Sequence, residues 1–446
     1  MKRYFLHFPL TLLLFSVLPL RGQEPLPLYD CIRQAVENNY AVKITRNRQA
    51  MAENNVTYKP FLPNVTASGT QNQSHSHSHS HSTRTLASSP EETTIDAKAN
   101  NLNAGLSLSW RMFDGLAMFA TYNRQKEALS VSEQEVKMSL ENLVAQVCFE
   151  YYNIIVLKNR LSAAQYTLAL SQERYQQAME MYTLGSSSGL DLRQAKIDLN
   201  ADSSTLVMQE EVLQNAYIRL NTLMNMPLAN DGYVNDSIEL LPKMDRQELA
   251  ARTLNHNSSL KAARLGKRLS ELDLKIAHAA RFPTVDFNTG YNYTFADTPS
   301  AAITYNRSNG FNWGFSLSWT LFNGFDTRRR IKNARLEVKG SELNYQQVEN
   351  NIMSDLALLY NTYERNLLMI NFEIESVETA FQTLDAAISR YRVGSLSGIE
   401  FREYQKNYLE AVDRKFNAMY QAKLSEINLR IMCGELVMAE PATEEP

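Results

Sequence analysis

Four histidines spaced two apart form the plainest metal-binding pattern in this 446-residue chain: His75, His77, His79 and His81 alternate with serines from Ser74 to Ser82. On an extended backbone, residues i and i+2 share a side, so all four imidazoles would line one face and suit a divalent transition ion. The competing reading is a polar low-complexity tract in a loop, which needs no metal. Among the carboxylates, Glu400 and Glu403 stand three apart, one helical turn, and therefore on one face. Asp191 and Glu400 each fall in the first turn of a predicted helix, where a carboxylate favours the helix dipole. No Ser/His/Asp constellation, phosphate loop or His-Glu-x-x-His is present. Cys31, Cys148 and Cys433 are too scattered for a disulfide scaffold or metal cluster and read as small core residues. No enzymatic activity and no cofactor are read. A formal charge of −3 gives no support to nucleic-acid binding.

The elements that must position these residues are duplicated. Gly105-Leu-Ser-Leu-Ser-Trp-Arg-Met-Phe-Asp-Gly115 returns as Gly314-Phe-Ser-Leu-Ser-Trp-Thr-Leu-Phe-Asn-Gly324, an offset of 209. Tyr182-Thr-Leu-Gly-Ser-Ser-Ser-Gly-Leu-Asp-Leu-Arg193 returns as Tyr391-Arg-Val-Gly-Ser-Leu-Ser-Gly-Ile-Glu-Phe-Arg402 at the same offset. Leu62-Pro63-Asn64-Val65 matches Phe282-Pro283-Thr284-Val285 at an offset of 220, so the first copy holds about eleven extra residues, assigned to the His-Ser tract as an outer loop. The first repeat is 23–226, with strands about 63–73 and 102–113, a long helix 116–182 and a tip turn 183–190. The second is 227–446, with strands about 284–295 and 311–322, a long helix 325–391 and a tip turn 392–399.

The strands alternate apolar and aromatic residues with small polar ones and run about 10 residues, which fits a membrane barrel with a wet interior. A half-buried strand of a soluble sandwich is the competing reading. Trp110, Trp313 and Trp319 read as lipid-facing or interfacial aromatics. Each long helix is 67 residues, about 100 Å. Shorter helices at 28–59 and 190–224, or 248–281 and 399–432, would pair end to end to match it. Gly185, Gly189, Gly394 and Gly398 suit turns needing positive φ. Four strands cannot close a barrel in lipid, so closure demands several chains, and three would give twelve strands. Residues 1–22, with Lys2, Arg3 and the apolar run Leu10 to Leu20, read as a cleaved secretory signal whose loss takes the charge from −3 to −6. No lipobox precedes Cys31.

These repeated motifs resemble the TolC-type outer-membrane efflux family. The resemblance covers nearly the whole mature chain. It implies a mainly α fold with membrane β: a homotrimer with a 12-stranded outer-membrane barrel continued by a long periplasmic helical barrel. It also implies a periplasmic membrane-fusion adaptor and an inner-membrane pump of RND or ABC type. In the family, two acidic residues three apart form a ring that constricts the pore and selects cations; Glu400 and Glu403 fall on those positions. Capping and ring formation are the two readings of Glu400. The residues of the closed-state lock correspond to Asp191 and Tyr391, but the family's locking Arg is replaced by Leu396, with Arg392 as a candidate substitute. Leu184-Gly185-Ser186 and Val393-Gly394-Ser395 resemble the tips onto which adaptor hairpins dock, or simply make tight turns. A non-conducting structural tether and a soluble coiled-coil adaptor are the alternatives, and drug, metal and protein substrates remain open.

Overall fold

A computed structural model describes residues 26–81, 92–229, 234, 237–297, 299 and 304–435. The secretory signal assigned to residues 1–22 lies outside them. The chain order is α1 (Leu28–Asn38), α2 (Tyr40–Asn55), β1 (Asn64–His81), β2 (Glu92–Phe113), α3 (Ala117–Thr183) and α4 (Gly189–Met224). It continues with α5 (Arg246–His256), α6 (Ser258–Ala279), β3 (Thr284–Asp297), β4 (Tyr305–Ser318), α7 (Asp326–Arg392) and α8 (Gly398–Met432).

The four strands form one antiparallel sheet in the order β1-β2-β3-β4, so β1 and β4 each have an open edge. The duplication is kept to the residue. Asn64 pairs with Ser109 in the first hairpin, and the offset partners Thr284 and Ser318 pair in the second. One face carries Leu106 and Leu108, Phe287 and Tyr291, then Phe311, Trp313, Phe315 and Leu317. The other carries Gly105, Ser107, Asn288, Gly290, Asn312 and Ser316. β1 and β2 reach further than their apolar rows, to His81 and from Glu92, so the His-Ser tract is strand rather than loop. β4 is displaced, starting at Tyr305 and ending at Ser318. Trp319 lies just past the ladder, and its indole Nε1 donates to the Arg281 carbonyl at 3.1 Å. Trp110 does the same to Phe61 at 2.9 Å, so these two tryptophans tie the sheet to the chain segment entering it. Trp313 is exposed on the apolar face.

Both long helices have 67 residues. In each repeat the chain swings from strand to helix through consecutive left-handed residues, Gly115 with Leu116 and Gly324 with Phe325. A Cβ at Gly115 would lie 2.5 Å from the Ala279 carbonyl, so only glycine fits there. Of the shorter helices, the two entering ones, expected at 28–59 and 248–281, are each broken once, whereas the returning helices α4 and α8 are continuous. Asn39 and Asn257 accept hydrogen bonds from the next helix's first amides, which fixes an N-cap and stops the preceding helix. Their side-chain amides donate to the Leu223 and Met432 carbonyls, both at 3.1 Å, where α4 and α8 end. Entering and returning helices therefore meet end to end at the same joint in both repeats.

Around that joint lies the main core, with Cys31, Val147, Cys148, Ile154, Ile155, Leu220 and Met224 buried. Burial pushes the Cys31 and Cys148 thiols up to about 12, so neither is a nucleophile at neutral pH. The segment linking the repeats lies against this belt. Lys423 Nζ donates to the Glu239 carbonyl at 2.8 Å, and Glu426 accepts from Leu241 N at 3.1 Å.

Candidate functional site

The far ends of the long helices converge on two matching turns. After α3, Gly185 takes φ +72° and Ser186 N donates to the Met181 carbonyl at 2.9 Å. After α7, Gly394 takes φ +75° and Ser395 N donates to the Arg390 carbonyl at 3.0 Å. These are glycine-dependent helix C-terminal turns. Gly189 and Gly398, expected to share that conformation, instead open the returning helices with ordinary φ. A Cβ on Gly398 would meet the Arg174 guanidinium at 3.0 Å, so close approach explains that glycine.

Ser188 and Ser397 are the N-caps of α4 and α8. Ser187 and Ser188 hydroxyls both donate to the Asp191 carboxylate, at 3.1 and 3.0 Å. Glu400 completes a capping box, accepting from Ser397 N at 3.0 Å while Glu400 N donates to Ser397 Oγ at 3.3 Å. The Ser397 amide and hydroxyl hold its carboxyl below the usual carboxylate range, with Arg390 adding a smaller effect. Glu403 is exposed one turn further along α8. Four apolar side chains project beyond the turns, with Leu184 81%, Leu190 74%, Val393 78% and Ile399 77% exposed.

Asp191 and Tyr391 are not brought together, since Asp191 is engaged within its own turn. Tyr391 stacks on Phe401, ring centroids 4.9 Å apart. Leu396 is buried with Leu384, Ala387, Ile388 and Phe401, so the position of the family's locking Arg is filled by an apolar plug. Arg392 reaches neither residue; its guanidinium pairs with Glu173 of α3 at 2.7 Å.

Sequence reasoning missed a polar cluster just above the turns. Arg174 of α3 is 3% exposed and donates to Asp198 of α4 at 2.7 Å. Arg402 of α8 grips Asp202 of α4 with two bonds, 2.6 and 2.7 Å. Ser171 Oγ donates to the same carboxylate at 2.5 Å, and buried Gln405 donates to Ser171 at 3.4 Å. A planar guanidinium matches a carboxylate in this two-bond geometry. Higher up, Arg160 reaches Asp413 and Asn417 of α8. The two hairpins of one chain are thereby clamped side by side. The missed signal was polar residues at helical seam spacing: Ser171 and Arg174 on α3, Asp198 and Asp202 on α4.

Residues 31–226 and 249–435 match the outer membrane efflux protein family. The chain belongs to that family. This efflux-family protein is 19% identical over 338 residues to the outer membrane protein TolC of Vibrio cholerae, covering 75% of this chain and 77% of the relative. It is 23% identical over 341 residues to the cation efflux system protein CusC of Escherichia coli, covering 75% and 72%. Its fold matches the CmeC outer membrane channel of Campylobacter jejuni with a TM-score of 0.75 at 16% identity, over 92% of this chain and 85% of that one. A CusC crystal structure matches with a TM-score of 0.72 at 18% identity, over 91% and 92%. Like its relatives, this efflux protein is an outer-membrane protein with a large periplasmic helical part. The sheet is its membrane portion.

Proposed function

We propose that this chain, as a homotrimer, is the outer-membrane exit channel of a tripartite efflux or secretion system. The observation that carries the reading is a four-stranded sheet, apolar on one face and polar on the other, with both edges open. An open edge in lipid leaves backbone groups unsatisfied, so the β4 edge of one chain must meet the β1 edge of the next. Three chains supply twelve strands around a lumen lined by the Ser, Asn and Gly rows, and their helices continue it as a tunnel of about 100 Å. The residues make structural contacts in this reading; substrates pass and none is transformed.

At the periplasmic end, Leu184, Gly185 and Ser186, with Val393, Gly394 and Ser395, dock an adaptor that leads to an inner-membrane pump. The exposed apolar side chains beside both turns support this contact. Glu400 and Glu403 from three chains form a carboxylate ring at the constriction. Capping and ring formation are compatible, because Glu400 uses one carboxylate oxygen, Oε2, in its capping box. The test is reconstitution into planar bilayers with and without the Glu400→Ala and Glu403→Ala pair. The expected result is higher conductance and loss of divalent-cation block in the double variant. Unchanged single-channel currents would remove the ring, and a protein found in outer-membrane trimers but never conducting would support the tether instead.

A further inference from the structure

The histidine ladder has a definite place on the sheet. It continues the β1 row that starts at Val65 and Ala67, opposite Leu108 and Leu106, and turns polar at Gln71. The His75, His77 and His79 imidazoles therefore lie on the outward face of the barrel, beyond its apolar band. On β2, Lys98 stands opposite His75 and Asp96 opposite His77. His77 Nδ1 is hydrogen-bonded to the Asp96 carboxylate. The His77 and His79 rings lie 4.8 Å apart between centroids, at 86° to each other.

We propose that His77 and His79, with Asp96 behind them, bind a divalent transition ion such as zinc, copper or nickel on the outer rim of the barrel. Asp96 accepts from Nδ1–H of His77, which leaves Nε2 free to face an ion. Carboxylate support of this kind fixes the tautomer and orients the ring. Two imidazoles sharing a tetrahedral ion at about 2.0 Å per Zn–N bond hold their centroids roughly 5 Å apart, close to the spacing already present. Lys98 disfavours a cation beside His75, and Asp96 favours one beside His77, so the upper pair is the better site. Among the described residues no three such ligands converge on one point, so water completes the coordination.

The test is isothermal titration of detergent-solubilised trimers with zinc chloride and nickel chloride. Wild type gives saturable heat, His77→Ser with His79→Ser abolishes it, and Asp96→Asn weakens it about tenfold or more. Serine already fills the intervening positions of β1, so strand pairing is kept. Copper(II) added to the unaltered protein gives an electron paramagnetic resonance spectrum with coupling to two equatorial nitrogens. Absence of saturable heat in wild type, full binding by the double variant, or a copper spectrum without nitrogen coupling would each overturn the site. Full-strength binding by Asp96→Asn would overturn the part given to Asp96.

Discussion

The seam between chains can be located to the residue. Within the chain, Ser107 of β2 pairs with Gly290 of β3. Moving β2 forward by 209 and β3 back by 220 carries that pair to Ser316 of β4 and Thr70 of the next chain's β1. The transfer rests on the two hairpins sharing one register under the same offsets. Both side chains lie on the polar lumen face. Directly opposed strand residues have Cα atoms about 4.5–5.5 Å apart, within disulfide reach, whereas a slip of two residues moves them beyond the roughly 7 Å limit. A slip of one would turn the apolar row into the lumen and is excluded by burial of that row in lipid. Thr70→Cys with Ser316→Cys should therefore cross-link under mild oxidation, giving covalent dimers and trimers on a non-reducing gel. Ser68→Cys or Asn72→Cys in place of Thr70→Cys should react far more slowly. Background is low because Cys31, Cys148 and Cys433 are buried. Fastest cross-linking at position 68 or 72, or none at 70, would refute the transferred register.

Further outcomes follow from the tip. Asp198→Ala strands Arg174, 3% exposed, without its carboxylate; removing one partner of a buried pair costs about 3–5 kcal/mol, read as a lower melting temperature by circular dichroism. Leu396→Arg puts a guanidinium among Leu384, Ile388 and Phe401, so the second turn should loosen and bilayer conductance should rise; unaltered conductance would mean the plug does not hold the turn. Leu184→Asp with Val393→Asp should weaken adaptor cross-linking at least tenfold while leaving the trimer intact, and retained cross-linking would move the docking surface elsewhere.

The duplicated architecture is readable because its signals are periodic and repeated: alternating strands before an aromatic-glycine landmark, then 67 residues without a break. What escaped reading has physical causes. The upper halves of β1 and β2 carry Ser, His, Thr and Asn rows, which look like loop when no apolar face must be buried. The alternation of Trp319 and Leu321 reads as strand, yet β4 ends at Ser318, because its partner β3 begins at Thr284 and offers nothing to pair with beyond it. Asn39 and Asn257 interrupt helices without Pro or Gly, because a side-chain cap competes locally with the helix it ends. At the tip, the turns at Gly185 and Gly394 and the acidic caps were legible from spacing, whereas Gly189 and Gly398 open the returning helices instead of turning. The Arg174–Asp198 and Arg402–Asp202 pairs were not, since charged residues on a long helix read as solvent-facing until a second hairpin covers them.

Conduction by the unaltered protein is the most direct measurement of its role as an exit channel. Purified from outer membranes and added to a planar lipid bilayer, it should insert as trimers and produce discrete, cation-selective current steps. Stable trimers that insert and never pass current would contradict the exit-channel reading.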